Sequence, residues 1–174
     1  MTSPLSALRC LALAGALSLG IGSARADELA EVQRLQAAGQ TDAALARADQ
    51  FLAAKPRDAQ MRFVRGVLLS ESRREAEATE VFQRLVEDFP ELPEPYNNLA
   101  ALYAAAGDYD RAKSALDQAV RANPAFAAAH ENLGDVLAMM ALRAYLRAQQ
   151  LEPASGTLPA KLKLVRQLLG RAAP

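Results

Sequence analysis

Between Pro93 and Pro124 the apolar residues fall into two helical registers separated by a break. Tyr96, Leu99, Leu102 and Tyr103 recur at i, i+3, i+6 and i+7, which sets them on one helix face. Pro93 opens that helix where a missing N–H is harmless. Gly107-Asp108 interrupts the pattern. Tyr109, Ala112, Leu116, Ala119 and Val120 then line a second helix. Asn123-Pro124 ends it, because the residue before a proline avoids the helical region. The segment predicts a helical hairpin.

The layout recurs along the chain. Pro56, Pro90 and Pro124 are evenly spaced, and each closes a block whose twentieth position is alanine: Ala44, Ala78 and Ala112. A fixed period of about 34 residues in helix-type sequence is the mark of a stacked hairpin array. With the proline at position 32, the blocks run 25–58, 59–92, 93–126 and a shortened 127–153, which closes early at Pro153. Positions 8 and 20 are where the two helices of a hairpin cross. Small residues there let the axes approach to about 8–10 Å. Position 20 is alanine in all four blocks, Ala141 being the fourth, and position 8 is Val32, Gly66, Ala100 and Gly134.

Block three carries a resemblance. Tyr96, Leu99, Ala100, Tyr103, Gly107, Ala112, Leu116, Ala119 and Pro124 are similar to the signature of the tetratricopeptide repeat. Block two keeps Gly66, Leu69, Ala78, Phe82 and Pro90 but departs with Arg62, Arg65 and Arg73 at positions 4, 7 and 15. Block one keeps Leu35, Gly39, Ala44 and Pro56, with Val32 and Phe51 as departures. Block four keeps Leu133, Gly134, Leu137, Ala141, Tyr145, Ala148 and Pro153. The resemblance spans about residues 28–153 and implies an all-α solenoid of about 3.5 repeats.

It also implies a concave groove lined by the first helix of each repeat, where a peptide or a partner surface binds. Carried over by position, the groove candidates are Phe63, Val67 and Ser70 from block two and Glu94, Asn97, Asn98 and Ala101 from block three, with Glu131, Asn132 and Asp135 from block four. Asparagine offers donor and acceptor to an extended backbone. Glu131 and Asp135 share a helix face and favour a basic partner. Asparagine at these places can equally serve packing, and surface carboxylates are commonly only solvated. Relatives that clamp a peptide C-terminus use basic residues at positions 2 and 5. Leu29, Phe63, Glu94 and Ala128 stand at such places here, so that clamp is not supported.

Block four lacks the Gly turn. Between Glu131 and Glu152 there is no proline, and no glycine after Gly134. Either a tight turn near residues 138–140 folds the hairpin back, or both halves fuse into one helix over about 127–151. Leu133, Leu137, Met140, Ala144 and Leu151 make a continuous helical stripe, and the lack of punctuation favours fusion. The second half of a fused helix must then pack on the C-terminal segment or on a second chain, which makes a homodimer through residues 127–151 an expectation. Residues 154–156 read as a turn. From Thr157, Leu158, Leu162, Val165, Leu168 and Leu169 predict a capping helix with Lys161, Lys163, Arg166 and Gln167 outside, within a terminal segment 154–174.

The N-terminus is different in kind. Arg9 precedes an apolar run, Cys10–Ile21, and Ala24-Arg25-Ala26 supplies small residues before Asp27. That is a cleavable signal peptide, residues 1–26, with the cut expected after Ala26 and the protein expected in the periplasm or secreted. The run is short for a bilayer span, so a retained anchor is the weaker reading and no transmembrane span is expected after cleavage. Arg9, where a lipidation signal wants a small residue, argues against a lipoprotein. Cleavage removes Arg9, Arg25 and the lone cysteine, leaving 18 basic against 20 acidic side chains.

Chemistry is sparse. A near-neutral chain carries no electrostatic case for nucleic acid. With one histidine and no cysteine after cleavage, no catalytic, metal or cofactor site is expected. His130 stands at position 4, an aromatic packing position, and reads as a packed side chain. The expected function is a protein–protein interaction module, an adaptor or scaffold in a cell-envelope assembly and not an enzyme. The alternative is a structural homo-oligomer assembled through the fused helix and the cap.

Overall fold

The computed structural model describes residues 23–170, with side chains from Ala26. The apolar run Cys10–Ile21 lies outside the described residues. The expected cut after Ala26 falls within the first turn of the first helix. In order, the helices are α1 (Ser23–Ala37), α2 (Thr41–Ala54), α3 (Ala59–Glu71), α4 (Glu75–Asp88), α5 (Pro93–Ala105), α6 (Tyr109–Ala122), α7 (Ala127–Leu151) and α8 (Leu158–Leu168).

Three hairpins turn on the same cap. The N–H groups of Gln40, Arg74 and Asp108 donate to the carbonyls of Leu35, Leu69 and Tyr103 at 2.9, 2.9 and 2.8 Å. This bond needs the preceding residue in the left-handed region. Gly39 and Gly107 supply it at φ 71° and 79°, whereas Arg73 is forced to φ 58°. Asp108 adds a side-chain cap, accepting from the Arg111 N–H at 3.0 Å. Block four lacks the turn segment, with no glycine after Gly134, and α7 accordingly runs unbroken for 25 residues.

The crossing positions behave as their size requires. Ala44, Ala78 and Ala112 are fully buried. A Cβ placed on Gly66 would lie 2.7 Å from the Phe82 ring, so that ring occupies the space a side chain there would need. Gly134 meets nothing within 4 Å, because its expected crossing partner, Ala141, sits further along the same helix.

First helices pack beside one another, α3 on α5 and α5 on α7, while each second helix bridges its own hairpin to the next. One apolar core runs from Val32 through Phe82, Leu85 and Leu116 to Met139. A second, small cluster joins Ala138 and Leu142 of α7 to Leu162 and Val165 of α8. Thus α8 packs against the far half of α7. Arg143 on that half also donates to the Gly107 carbonyl at 2.8 Å and stacks 4.3 Å over Tyr109.

Two expectations need correction. The stripe Leu133–Leu137–Met140–Ala144–Leu151 is not the buried face of α7: Leu137 is 45% and Leu151 70% exposed. The buried face is Ala129, Asn132, Val136, Met139 and Leu142, because that side meets α5, α6 and α8. Likewise Leu168 of α8 is exposed, and Leu158, Leu162 and Val165 do the burying.

Candidate functional site

The first helices bring the ten groove candidates onto adjacent elements, but they divide into two sets. Four are interior. Val67 is buried. Asn132 donates through Nδ2 to Asn97 Oδ1 at 2.8 Å, with both side chains under 5% exposed. Asn98 donates through Nδ2 to the Glu94 carbonyl one turn back at 2.9 Å. These asparagines serve the array itself. A buried amide pair between α5 and α7 fixes their register, since shifting either helix would leave both groups without partners.

The other six reach the surface. Phe63, Ser70, Glu94, Ala101 and Asp135 are half-buried and Glu131 is exposed. The Phe63 ring packs at 5.7 Å and 57° on Phe82, so its position is set from inside. At the α1 end, Gln36 Nε2 donates to the Glu71 carboxylate at 2.9 and 3.0 Å, tying the first two hairpins together. At the α7 end, burial raises the Asp135 carboxyl above its ordinary range, and the neighbouring Glu131 charge raises it further. Glu94, Glu131 and Asp135 form no ion pair among the described residues. The first helices therefore offer half-buried aromatic and small residues at the α3 and α5 end and, toward α7, carboxylates with no ion pair among the described residues.

His130 is not packed. It is exposed, and its Nε2 lies 2.9 Å from the Pro124 carbonyl oxygen. The shortened repeat explains this, since the helix expected to cover position 4 has become the continuation of α7. Among the described residues no group of three or more histidine, cysteine or acidic side chains is placed to hold a metal. No helix there is long and apolar enough to cross a membrane.

A second concavity went unassigned by groove reasoning. It lies between α2 and α4, beneath Arg62 and Arg65 on α3. The only sign of it along the chain was the departure of positions 4 and 7 from the apolar pattern.

With the hairpins, caps and crossings in place, the comparisons agree. Two tetratricopeptide-repeat profiles match residues 29–93 and 69–133. The chain belongs to the tetratricopeptide-repeat family, whose members are generally non-catalytic proteins that bind other proteins or peptides. Among solved structures it is similar to a thermophilic tetratricopeptide-repeat protein of Thermus thermophilus, with 25% identity, 83% of this chain and 82% of that one covered, and a TM-score of 0.62. It shares its fold with MamA at 19% identity, 83% and 82% coverage and a TM-score of 0.61. It also shares it with YrrB, a tetratricopeptide-repeat protein with an unusual peptide-binding site, at 16% identity, 81% and 75% coverage and a TM-score of 0.58. No curated protein sequence matches.

Proposed function

We propose that this protein is an adaptor or scaffold of the cell envelope, exported by its N-terminal signal and not an enzyme, whose concave face takes a basic segment of a partner. One observation carries the charge assignment. Glu94, Glu131 and Asp135 line the first-helix face with no ion pair among the described residues, and burial first and the Glu131 charge second hold the Asp135 proton more tightly. A lysine or arginine from a partner would supply the missing countercharge. Phe63 on α3 and Ala101 on α5 are half-buried on the same series of first helices and offer apolar contact for the partner's side-chain stems. The export reading rests on Arg9, the run Cys10–Ile21 and Ala24-Arg25-Ala26. The non-catalytic reading rests on the residue inventory and on the family.

Fluorescence anisotropy with a labelled lysine-rich peptide tests the charge assignment on the purified protein. Glu131→Gln with Asp135→Asn should weaken binding about tenfold, the equivalent of about 1.4 kcal/mol. Unchanged affinity would overturn the basic-segment reading. A second reading, self-association through α7 and α8, draws on the exposed Leu137, Leu151, Leu164 and Leu168. Light scattering across a concentration series decides it, and a monomer throughout would remove it.

A further inference from the structure

The cleft between α2 and α4 has a chemistry unlike the concave face. In block three, Tyr96 and Leu99 occupy positions 4 and 7 and pack with the core. In block two those positions are Arg62 and Arg65, and a cavity of about 480 Å³ opens there. Four arginines line it (Arg57, Arg62, Arg65 and Arg84) against two acids, Asp49 and Asp88. The lining thus has a net positive charge of two, on a chain that is neutral as a whole.

The internal pairing leaves donors over. Arg62 Nη1 binds Asp88 Oδ2, and Arg65 Nε binds Asp49 Oδ1 at 2.6 Å. Each is a single contact from a guanidinium that carries five N–H donors. Arg84 is held only by exposed Glu80. Arg57 has no ion pair among the described residues. Arg62 and Arg65 are themselves largely covered, at 14% and 26% side-chain exposure, so the site is preformed. Their acid partners are about half exposed and can swing out to solvent.

We propose that this cleft is a second docking site, for an acidic segment of a protein partner whose separated carboxylates engage these arginines. The guanidinium fork fits carboxylate and phosphate alike. The two resident aspartates decide between them. They oppose a compact dianion more than spread single charges, and they mark where an incoming carboxylate can exchange for a resident one. The site faces away from the groove: Phe63 and Val67 lie on another side of α3 from Arg62 and Arg65.

Fluorescence anisotropy of the full-length protein with a labelled peptide bearing four glutamates tests this. Binding at about 50 mM salt should weaken about tenfold or more by about 300 mM, as screened charge pairs require. Arg62→Tyr with Arg65→Leu restores the block-three pattern, so the fold is kept, which circular dichroism checks; affinity should fall at least tenfold. Asp49→Asn with Asp88→Asn removes the resident competitors and should tighten binding. Absence of binding at low salt, or wild-type affinity in the arginine double variant, would overturn the proposal. Displacement of the peptide by inorganic phosphate at matching concentration would overturn its assignment to peptide carboxylates. The lysine-peptide and glutamate-peptide probes carry opposite charge, so the two readings stand or fall separately.

Discussion

Gly66 and Gly134 occupy the same repeat position and have opposite packing, which makes them a matched test of what the position requires. An alanine at Gly66 would press its methyl against the fully buried Phe82 ring, itself fixed by Phe63. Overpacking of this kind costs about 1–3 kcal/mol, partly offset by about 1 kcal/mol of helix propensity. At Gly134 only the propensity remains, because nothing stands in the way. Urea denaturation should therefore show Gly66→Ala destabilised by about 1 kcal/mol and Gly134→Ala stabilised by about 0.5–1 kcal/mol. Asp135 makes a separate, pH-dependent prediction. Burial first, and the Glu131 charge second, raise its folded pKa above the ordinary value of 3.8. The folded state then binds the proton more tightly than the unfolded state, so ionisation opposes folding. The stabilising contribution is complete below the ordinary value and is lost as pH rises through the raised one. Asp135→Asn should raise the urea midpoint at about pH 7 and lose that advantage by about pH 3. An advantage that grew on acidification would contradict the sign.

At the scale of the element, the turns show which parts of the fold could be read from the chain. Gly39 and Gly107 announce their hairpins because only glycine takes the left-handed region without penalty. Arg73 holds the same place against its preference, and the tertiary frame prevails: Arg74 N–H still reaches Leu69 O at 2.9 Å. Replacing Arg73 with glycine should therefore stabilise the second hairpin by about 1 kcal/mol, read as a higher urea midpoint. A loss of stability would mean that the arginine side chain outweighs its backbone. The unbroken α7 was legible for the converse reason, as its sequence has no proline and no glycine after Gly134 to mark a turn. Its buried face was not. Periodicity says which residues share a face, but only the neighbouring helices decide which face is covered. The groove was legible in the same partial way. Position assigned Asn97 and Asn132 to the first helices, yet their mutual bond depends on the register between helices 35 residues apart, which no local pattern encodes. The arginine cleft is a failure of pattern at Arg62 and Arg65, and what fills such a gap depends on Asp49 and Asp88 from two other helices.

For the whole molecule, the decisive property is that the core is unequal along its length. An array in which units touch only their neighbours has local stabilities, and its ends can open while its centre holds. The central hairpins share one long core, whereas α8 is fastened by a cluster of four buried residues, with Leu169 reaching back to the main core. Leu162 is 3% exposed within that cluster. Truncating it to alanine removes about 2–5 kcal/mol of packing, more than so small a cluster can lose and still hold. Leu162→Ala should therefore release α8 and bare Ala138 and Leu142 without unfolding the array. Amide hydrogen exchange should show protection lost in α8 and in the far half of α7, with little change in α3–α6. A uniform loss through α3–α6 would show that the chain opens as one unit. The same variant sharpens the question of self-association. In the native chain α8 covers Ala138 and Leu142, so a second copy that used that face, rather than the exposed leucines, would have to displace α8 first. If Leu162→Ala dimerises in light scattering while the native protein stays monomeric, the cap is what keeps this array from pairing with itself. If both are monomeric, the bared face of α7 is too small to hold a second copy.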